Sequence, residues 1–259
     1  MRENEITQYF DSNNYLFNDN SILGIYLIHG FTSSTYEVKK LAEYLSTYGY
    51  HVRANNLPGH GTSIDDCNLT KYNEWITFVE QDIASMYTKC DKVIVMGASM
   101  GALLALNLAT VFPLDGIVLG GCLLKFKNEF NVRFMARFFN KIKPKVPKQT
   151  QFHEKDTKHI HFYGYNQYPL IALNEMRQLV DMVRKKLDKI KCQTLLIHSK
   201  DDKTALFNNH GLLKSLMVNA KIDCLILENA GHHIFDPDTD NQDIIFKKIT
   251  KFSKKVFSE

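Results

Sequence analysis

Short runs of apolar, β-favouring residues alternate along this chain with segments whose apolar residues recur at helical spacing. The runs predict strands at 22–28, 51–54, 93–96, 116–120, 194–198 and 224–227. The strand at 22–28 is predicted to be buried, and the strand at 93–96 to be buried on both faces. Helices are predicted between and after these strands, at 38–45, 75–86, 100–112, 212–217 and 244–256. Strand, helix and strand in this order favour a mostly parallel central sheet with right-handed crossovers. We therefore predict an α/β fold in which helices flank the sheet.

Two weaker signals lie near the N-terminus. Residues 2–20 are polar and rich in Asn, and they predict a short hairpin at the sheet edge. Ser34 followed by Glu37 has the spacing of a capping box, so we expect a helix to start there.

One long segment interrupts the alternation of strands and helices. Residues 123–192 contain aromatic residues such as Phe130 and Phe134, then a breaker with two prolines, and then an amphipathic helix. Because open α/β sheets bind ligands at the carboxyl ends of their strands, we interpret this segment as a helical cap inserted after a sheet strand. The predicted organisation is an α/β core made of residues 1–122 and 193–259, with the cap at 123–192.

Charge is distributed unevenly between these two parts of the chain. The cap holds 16 of the 32 Lys and Arg residues and 6 of the 28 Asp and Glu residues, a net charge of about +10, against about −6 for the remainder. This difference indicates either attraction to an anionic substrate or membrane surface, or a solvated charged face, and we favour the solvated face. The net charge of +4 for the whole chain is too small to indicate binding of nucleic acid.

The cysteines and the apolar runs bear on the compartment. Five cysteines, an odd number without any C-x-x-C pair, argue against a disulfide framework and against a structural zinc site. No apolar run reaches membrane-spanning length without charges, and the first residues lack a secretory signal. We therefore expect a cytoplasmic protein without stable membrane insertion, for which transient contact with a lipid surface is one option. Its oligomeric state is left open.

The strongest chemical signal is Gly97-Ala98-Ser99-Met100-Gly101, between a predicted buried strand and a predicted buried helix. Strand, G-x-S-x-G and helix in this order are the nucleophile elbow, in which a sharp turn exposes a serine hydroxyl above the sheet. The two glycines lack a Cβ and let the strand and helix approach closely. We therefore predict that Ser99 is a nucleophile, with the N-terminus of the following helix beside it.

A serine nucleophile needs a base and an acid that orients the base. In the fold that carries this elbow, the acid and then the histidine follow the serine on loops after strands. Asp201 and Asp202 compete for the acid, and we favour Asp202, the fourth position of a turn that begins at Ser199. His232 and His233 compete for the base, and we favour His232 because it directly follows the glycine of a turn.

The oxyanion of this reaction class binds the backbone N–H after the nucleophile and a second N–H in the loop of an earlier strand. These groups belong to Met100 and Phe31 here. Phe31, with Phe130 and Phe134 of the cap, is a candidate lining for an acyl pocket, although any single cap aromatic is better explained as cap core. His60 precedes the serine in the chain, so we interpret it as structural or loop-positioning.

His29-Gly30-Phe31-Thr32-Ser33, Leu57-Pro58-Gly59-His60-Gly61, the elbow, Asp202 and Gly231-His232 occur in this order. Taken together, they make the chain resemble the α/β-hydrolases, and more narrowly the small bacterial carboxylesterases and monoacylglycerol lipases with an H-G-F-T-G oxyanion loop. Ser33 departs from the last glycine of that loop. The resemblance implies hydrolysis of short- to medium-chain esters or monoacylglycerols through an acyl-enzyme, with neither a metal nor an organic cofactor.

By position, the resemblance makes Ser99 the nucleophile, Asp202 the acid and His232 the base, with Phe31 and Met100 as oxyanion donors. A thioesterase or an acyltransferase would use the same residues. A binding protein of the same fold that senses a ligand under its cap is the non-enzymatic alternative, and the intact set of three residues argues against it.

Overall fold

A computed structural model describes residues 5–9, 11–134, 137–138, 140, 142–148, 159–237, 239 and 241–259. The strands are β1 (Glu5–Tyr9), β2 (Tyr15–Phe17), β3 (Leu23–Ile28), β4 (His51–Ala54), β5 (Lys92–Ala98), β6 (Gly116–Gly120), β7 (Lys145–Pro147), β8 (His159–Tyr163), β9 (Gln167–Pro169), β10 (Gln193–Ser199) and β11 (Lys221–Leu227). The helices are α1 (Tyr36–Ser46), α2 (Ile64–Leu69), α3 (Tyr72–Met86), α4 (Met100–Val111), α5 (Glu129–Phe134), α6 (Leu170–Val183), α7 (Asn208–Leu216) and α8 (Gln242–Ser258), and a 3₁₀ turn (Arg184–Lys189) follows α6.

Seven strands form the main sheet, in the order β11-β10-β6-β5-β3-β4-β2. Six of them run parallel, and β2 pairs with β4 in the antiparallel direction at one edge. The predicted mostly parallel sheet is therefore confirmed, and β5, which leads into Ser99, is its central strand.

Alternate side chains of the inner strands enter two apolar cores, one on each face of the sheet. In β3, Tyr26 and Ile28 pack in one core, while Ile25 and Leu27 pack in the other. Helices α3 and α4 contribute to the first core, and α1 and α8 contribute to the second. Burial on both faces explains why the inner strands read as continuous apolar runs.

The segment between β6 and β10 contains helices α5 and α6 and the short strands β7, β8 and β9, and its long helix α6 shares a core with the rest of the chain. Ala172, Met176, Leu179 and Val183 of α6 pack in the same apolar core as α3 and α4. The boundaries of the cap at 123–192 stay a prediction, and residues 149–158 of it lie outside the described residues.

The prediction of an N-terminal hairpin is wrong. β2 joins the edge of the main sheet, whereas β1 pairs in parallel with β8, from Glu5 opposite His159 to Tyr9 opposite Tyr163. The two strands expected to pair with each other thus take different partners.

Within the described residues, no helix combines the length and the apolar character needed to cross a membrane.

Candidate active site

Ser99 lies at the sharp turn between β5 and α4, with a φ of +52°. This left-handed backbone costs a residue other than glycine about 1–3 kcal/mol. The turn closes because its glycines have no side chain: an added Cβ would lie 2.2 Å from the Gly101 backbone at Gly97, and 2.1 Å from the Ile28 carbonyl oxygen at Gly101. Close packing of β3, β5 and α4 therefore holds the predicted elbow in its strained form.

Two loops bring an imidazole and a carboxylate to this serine. His232 Nε2 lies 2.9 Å from Ser99 Oγ, and His232 Nδ1 lies 2.7 Å from Asp202 Oδ2. Asp202 follows β10 and His232 follows β11, so all three side chains come from the carboxyl ends of parallel strands. Hydroxyl, imidazole and carboxylate form one continuous hydrogen-bonded chain.

The environment of Asp202 keeps its side chain ionised. Its second oxygen, Oδ1, accepts hydrogen bonds from the N–H groups of Thr204 and Ala205, both at 2.8 Å. Burial opposes ionisation, but the hydrogen bond and charge of His232 and these two N–H groups together hold the pKa of Asp202 below its usual range. A carboxylate at this position orients the imidazole and stabilises its protonated form.

The competing residues take other partners. Asp201 is exposed, and its Oδ2 accepts the N–H of Asn229 at 2.8 Å. His233 Nδ1 lies 3.0 Å from Asp236 Oδ2. The structure therefore brings Asp202 and His232 to Ser99, and not their neighbours.

The loop after β3, residues 29–34, lies against the elbow, and we call it the oxyanion loop. An added Cβ at Gly30 would lie 3.4 Å from the Cβ of Ser99, so Phe31 follows a residue in contact with the nucleophile. On the other side, Met100 is the first residue of α4, where backbone N–H groups have no partner within the helix. The two predicted oxyanion donors thus flank Ser99 along separate segments.

Two buried histidines support this loop. His29 Nδ1–H donates to the carbonyl of Gly30 at 2.9 Å, and His29 Nε2 accepts the N–H of Leu57 at 3.1 Å. The ring of His60 lies 6.1 Å from that of Phe31. Burial lowers the pKa of His29 to about 4 and that of His60 to about 3, so both rings are neutral near pH 7. The structural interpretation of His60 fits this environment, and the role of His29 was missed.

Residues of the predicted cap contact Thr32 of the oxyanion loop, and no sequence motif indicated this contact. The carbonyl of Thr32, whose φ is +62°, accepts the N–H of Tyr165 at 2.8 Å. Lys148 Nζ donates to Thr32 Oγ1 at 2.7 Å. An added Cβ at Gly164 would lie 2.0 Å from the Thr32 carbonyl oxygen, so this approach requires a glycine. Residues of the predicted cap therefore pack directly on the loop.

The cap aromatics are not where the sequence analysis put them. Phe130 is 80% exposed and Phe134 is 44% exposed, so the prediction that they form cap core or line an acyl pocket is wrong. Helix α5 instead presents these rings to solvent, stacked on each other with centroids 6.1 Å apart. Helical periodicity alone could not tell an apolar face that packs inward from one that is exposed.

Comparison with known proteins agrees with this geometry. The chain matches the family described as serine aminopeptidase, S33, over residues 23–238. It is 26% identical over 239 residues to the thermostable monoacylglycerol lipase of Bacillus sp. (strain H-257), covering 91% of this chain and 92% of that protein. It is 23% identical over 238 residues to a carboxylesterase of Bacillus subtilis (strain 168), covering 90% and 92%.

A solved structure described for LipS and LipT, two metagenome-derived lipolytic enzymes, superimposes with a TM-score of 0.84 at 22% identity, covering 94% of this chain and 98% of that one. This likeness concerns the fold. The family match covers most of the chain, and it includes the elbow, the oxyanion loop, Asp202 and His232. The chain therefore belongs to the serine aminopeptidase S33 family of α/β-hydrolases and is a hydrolase.

Proposed function

We propose that this chain is a serine carboxylic-ester hydrolase that acts through an acyl-enzyme on short- to medium-chain esters or monoacylglycerols. The observation that carries the proposal is the hydrogen-bonded chain from Ser99 through His232 to Asp202, with distances of 2.9 and 2.7 Å. The relatives described as a monoacylglycerol lipase and a carboxylesterase support an ester as the substrate class.

In the mechanism we propose, Ser99 Oγ attacks the ester carbonyl while His232 Nε2 takes its proton. The Asp202 carboxylate accepts the Nδ1–H bond and stabilises the imidazolium. The N–H groups of Phe31 and Met100 stabilise the oxyanion of the tetrahedral intermediate. His232 then protonates the leaving alcohol, and a water molecule activated by the same imidazole hydrolyses the acyl-enzyme.

The test is hydrolysis of p-nitrophenyl esters, from acetate to palmitate, and of a monoacylglycerol. Ser99→Ala and Asp202→Asn are expected to lower kcat by about 10³-fold or more. Asp201→Asn is the matched control, because Asp201 neighbours Asp202 and its side chain accepts the loop amide of Asn229. It should retain wild-type turnover. Wild-type turnover in Ser99→Ala would refute the mechanism. Turnover of acyl-CoA thioesters alone would refute the ester as substrate.

We further propose that the enzyme makes transient contact with a lipid surface through an exposed apolar face of the cap. This face consists of Phe130, Phe134, Phe138 and Ile142, all of which are exposed. The rings of Phe134 and Phe138 lie 5.2 Å apart, so the aromatic side chains form one patch. The surrounding segment carries the excess of Lys and Arg, which favours an anionic surface.

Co-sedimentation with anionic phospholipid vesicles tests this contact. Replacing Phe130 and Phe138 together by Ser should reduce vesicle binding while leaving turnover of soluble p-nitrophenyl acetate unchanged. Val218→Ser is the control, since Val218 is an exposed apolar residue outside the cap. Equal binding by all three proteins would refute the proposal.

We propose a cytoplasmic location. The five cysteines are free thiols, and Cys67, Cys90 and Cys122 are buried, which supports a reducing compartment.

A further inference from the structure

A buried carboxylate holds the backbone amide next to a predicted oxyanion donor. Glu37, in the first turn of α1, accepts the N–H of Gly30 at 2.6 Å through Oε2. Glu37 is only 5% exposed. Burial, and then the charge of Asp236, raise the pKa of Glu37 above its usual value. Gly30 lies beside Ser99 and directly precedes Phe31, so Glu37 bonds to the backbone next to the predicted oxyanion donor.

Two positively charged side chains lie near the carboxyl groups of Glu37 and Asp236 and offset their negative charge. His233 Nδ1 lies 3.0 Å from Asp236 Oδ2, and one donor atom from each of Glu37, His233 and Asp236 lies within 4.8 Å of the others. The charge of Asp236 is the largest of the effects that raise the pKa of His233 to about 9, and its hydrogen bond and the charge of Glu37 add to it. His233 is therefore an imidazolium near pH 7.

Lys148 is the second cation, and it comes from the predicted cap. Burial lowers its pKa to about 8, while the charges of Glu37 and Asp236 act in the opposite direction. Its Nζ donates to Thr32 Oγ1, so Lys148 faces the same loop as Glu37. Glu37 and Lys148 thus bond to the oxyanion loop directly, and His233 and Asp236 lie beside Glu37. The ring of His232 also lies near this imidazolium, 5.8 Å from the ring of His233.

The side chains of Glu37, His233 and Asp236 also offer the nitrogen and oxygen ligands that divalent metal ions bind. The imidazole nitrogen, however, already forms an ion pair with Asp236, and the ammonium of Lys148 interacts favourably with both carboxylates. A metal ion would have to displace a proton from His233 and would be repelled by Lys148. The arrangement favours a network of ion pairs and hydrogen bonds over a metal site.

We propose that Glu37, His233 and Asp236 form a positioning network that holds the oxyanion loop, and with it the Phe31 amide, in the orientation that the reaction needs. This inference rests on the proposed ester hydrolysis and adds to it residues that do not touch the substrate. Asp236 pairs with the imidazole of His233, His233 lies beside Glu37, and Glu37 Oε2 accepts the Gly30 N–H. We expect disruption of this network to lower kcat with little change in KM.

The test compares Glu37→Ala and Glu37→Gln with Glu43→Gln, an exposed position in the same helix. Glu37→Ala leaves the Gly30 N–H without its acceptor and should lower kcat on p-nitrophenyl butyrate by about 10–100-fold. This loss is no larger than the roughly 100-fold or greater fall in kcat that follows removal of an oxyanion donor. Glu37→Gln keeps a neutral acceptor and should recover part of that loss. KM should change less than about twofold, and Glu43→Gln should match the wild type.

Two readouts are independent of turnover. Hydrogen exchange of the Gly30 amide should accelerate in Glu37→Ala, and the pKa of His233 measured by NMR should fall in Glu37→Gln. If the wild type hydrolyses no ester, the proposed function fails, while these two readouts still test the network.

An unchanged kcat in Glu37→Ala would overturn the inference, as would unchanged Gly30 exchange in that variant. Loss of wild-type activity in EDTA, restored by a divalent metal ion, would also overturn it. If Glu37→Ala does not fold, Glu37→Gln and the His233 titration decide the question.

Discussion

Substitution of two helical glycines by alanine tests the close packing that forms the elbow. Gly101 lies in the first turn of α4, and Gly211 lies in α7. An added Cβ at Gly101 would meet the Ile28 carbonyl oxygen at 2.1 Å and that of His29 at 2.7 Å, whereas at Gly211 it would meet no atom within 4 Å. The same substitution, Gly→Ala, should therefore have opposite effects at the two positions.

The magnitude follows from the geometry. Ordinary van der Waals contact begins at 3.4 Å, so the Cβ at Gly101 is about 1.3 Å too close to a backbone atom of a buried strand. Overpacking costs about 1–3 kcal/mol, and the upper end applies because backbone atoms cannot change rotamer. Alanine recovers about 1 kcal/mol of helix propensity. We expect Gly101→Ala to lose about 2 kcal/mol of unfolding free energy, and Gly211→Ala to gain about 0.5–1 kcal/mol.

Activity should change more sharply than stability. Relief of the contact at Gly101 requires α4 to move away from β3 by about 1 Å, and this movement displaces Ser99 and the Met100 amide. A misplacement of that size lowers the rate by about 100-fold. Urea unfolding measures the stability of both variants, and kcat on p-nitrophenyl butyrate measures their activity. Equal stability changes in the two variants, or wild-type kcat in Gly101→Ala, would refute the packing argument.

Two further predictions concern the oxyanion loop. Gly164→Ala should lower kcat by about tenfold or more, because its Cβ would lie 2.0 Å from the Thr32 carbonyl oxygen and displace the oxyanion loop. Gly49→Ala is the control: Gly49 also has a positive φ, but an added Cβ would meet no atom within 4 Å, so this variant should lose stability and keep its kcat. His29, with its pKa lowered to about 4, contributes stability that is fully present above pH 6.5 and is lost on acidification towards pH 4, because only the unfolded chain then binds the proton. Urea unfolding between neutral pH and about pH 4 should show a fall of up to about 3 kcal/mol from this residue, and His29→Gln should reduce it; an equal fall in that variant would contradict the assignment.

The inner strands and the elbow were predictable because their signals are local. A strand buried on both faces needs apolar side chains at every position, so β3, β5 and β6 appear directly in the sequence. The elbow needs a glycine two residues before Ser99 and another two residues after it, and this fixed spacing is visible in the sequence. The clash that excludes a side chain at Gly101 comes from β3, but the pattern that records it is local.

Glu37 shows why other features were not predictable. Its spacing from Ser34 is that of a capping box, but the N-cap of α1 is Thr35, which makes no side-chain capping bond. The carboxylate instead accepts the N–H of Gly30, and Ser34 Oγ accepts the N–H of Asp11. The same residue types at the same spacing serve either arrangement, and only the neighbouring loop, brought there by the sheet, decides between them. The pairing of β1 with β8 likewise joins segments far apart in the chain, which no local pattern records.

The contacts of the oxyanion loop connect substrate selection with catalysis. Glu37 and His29 hold the loop from the core, while Tyr165 and Lys148 hold it from the predicted cap. Thr32, the residue after Phe31, accepts a backbone hydrogen bond from Tyr165. Movement of that part of the cap is therefore expected to displace the backbone that carries the predicted donor. A substitution that shifts this segment therefore acts on kcat as well as on KM. Changes at the exposed side chains of Phe130 and Phe138 are expected to leave these hydrogen bonds in place and to alter only the proposed contact with a lipid surface.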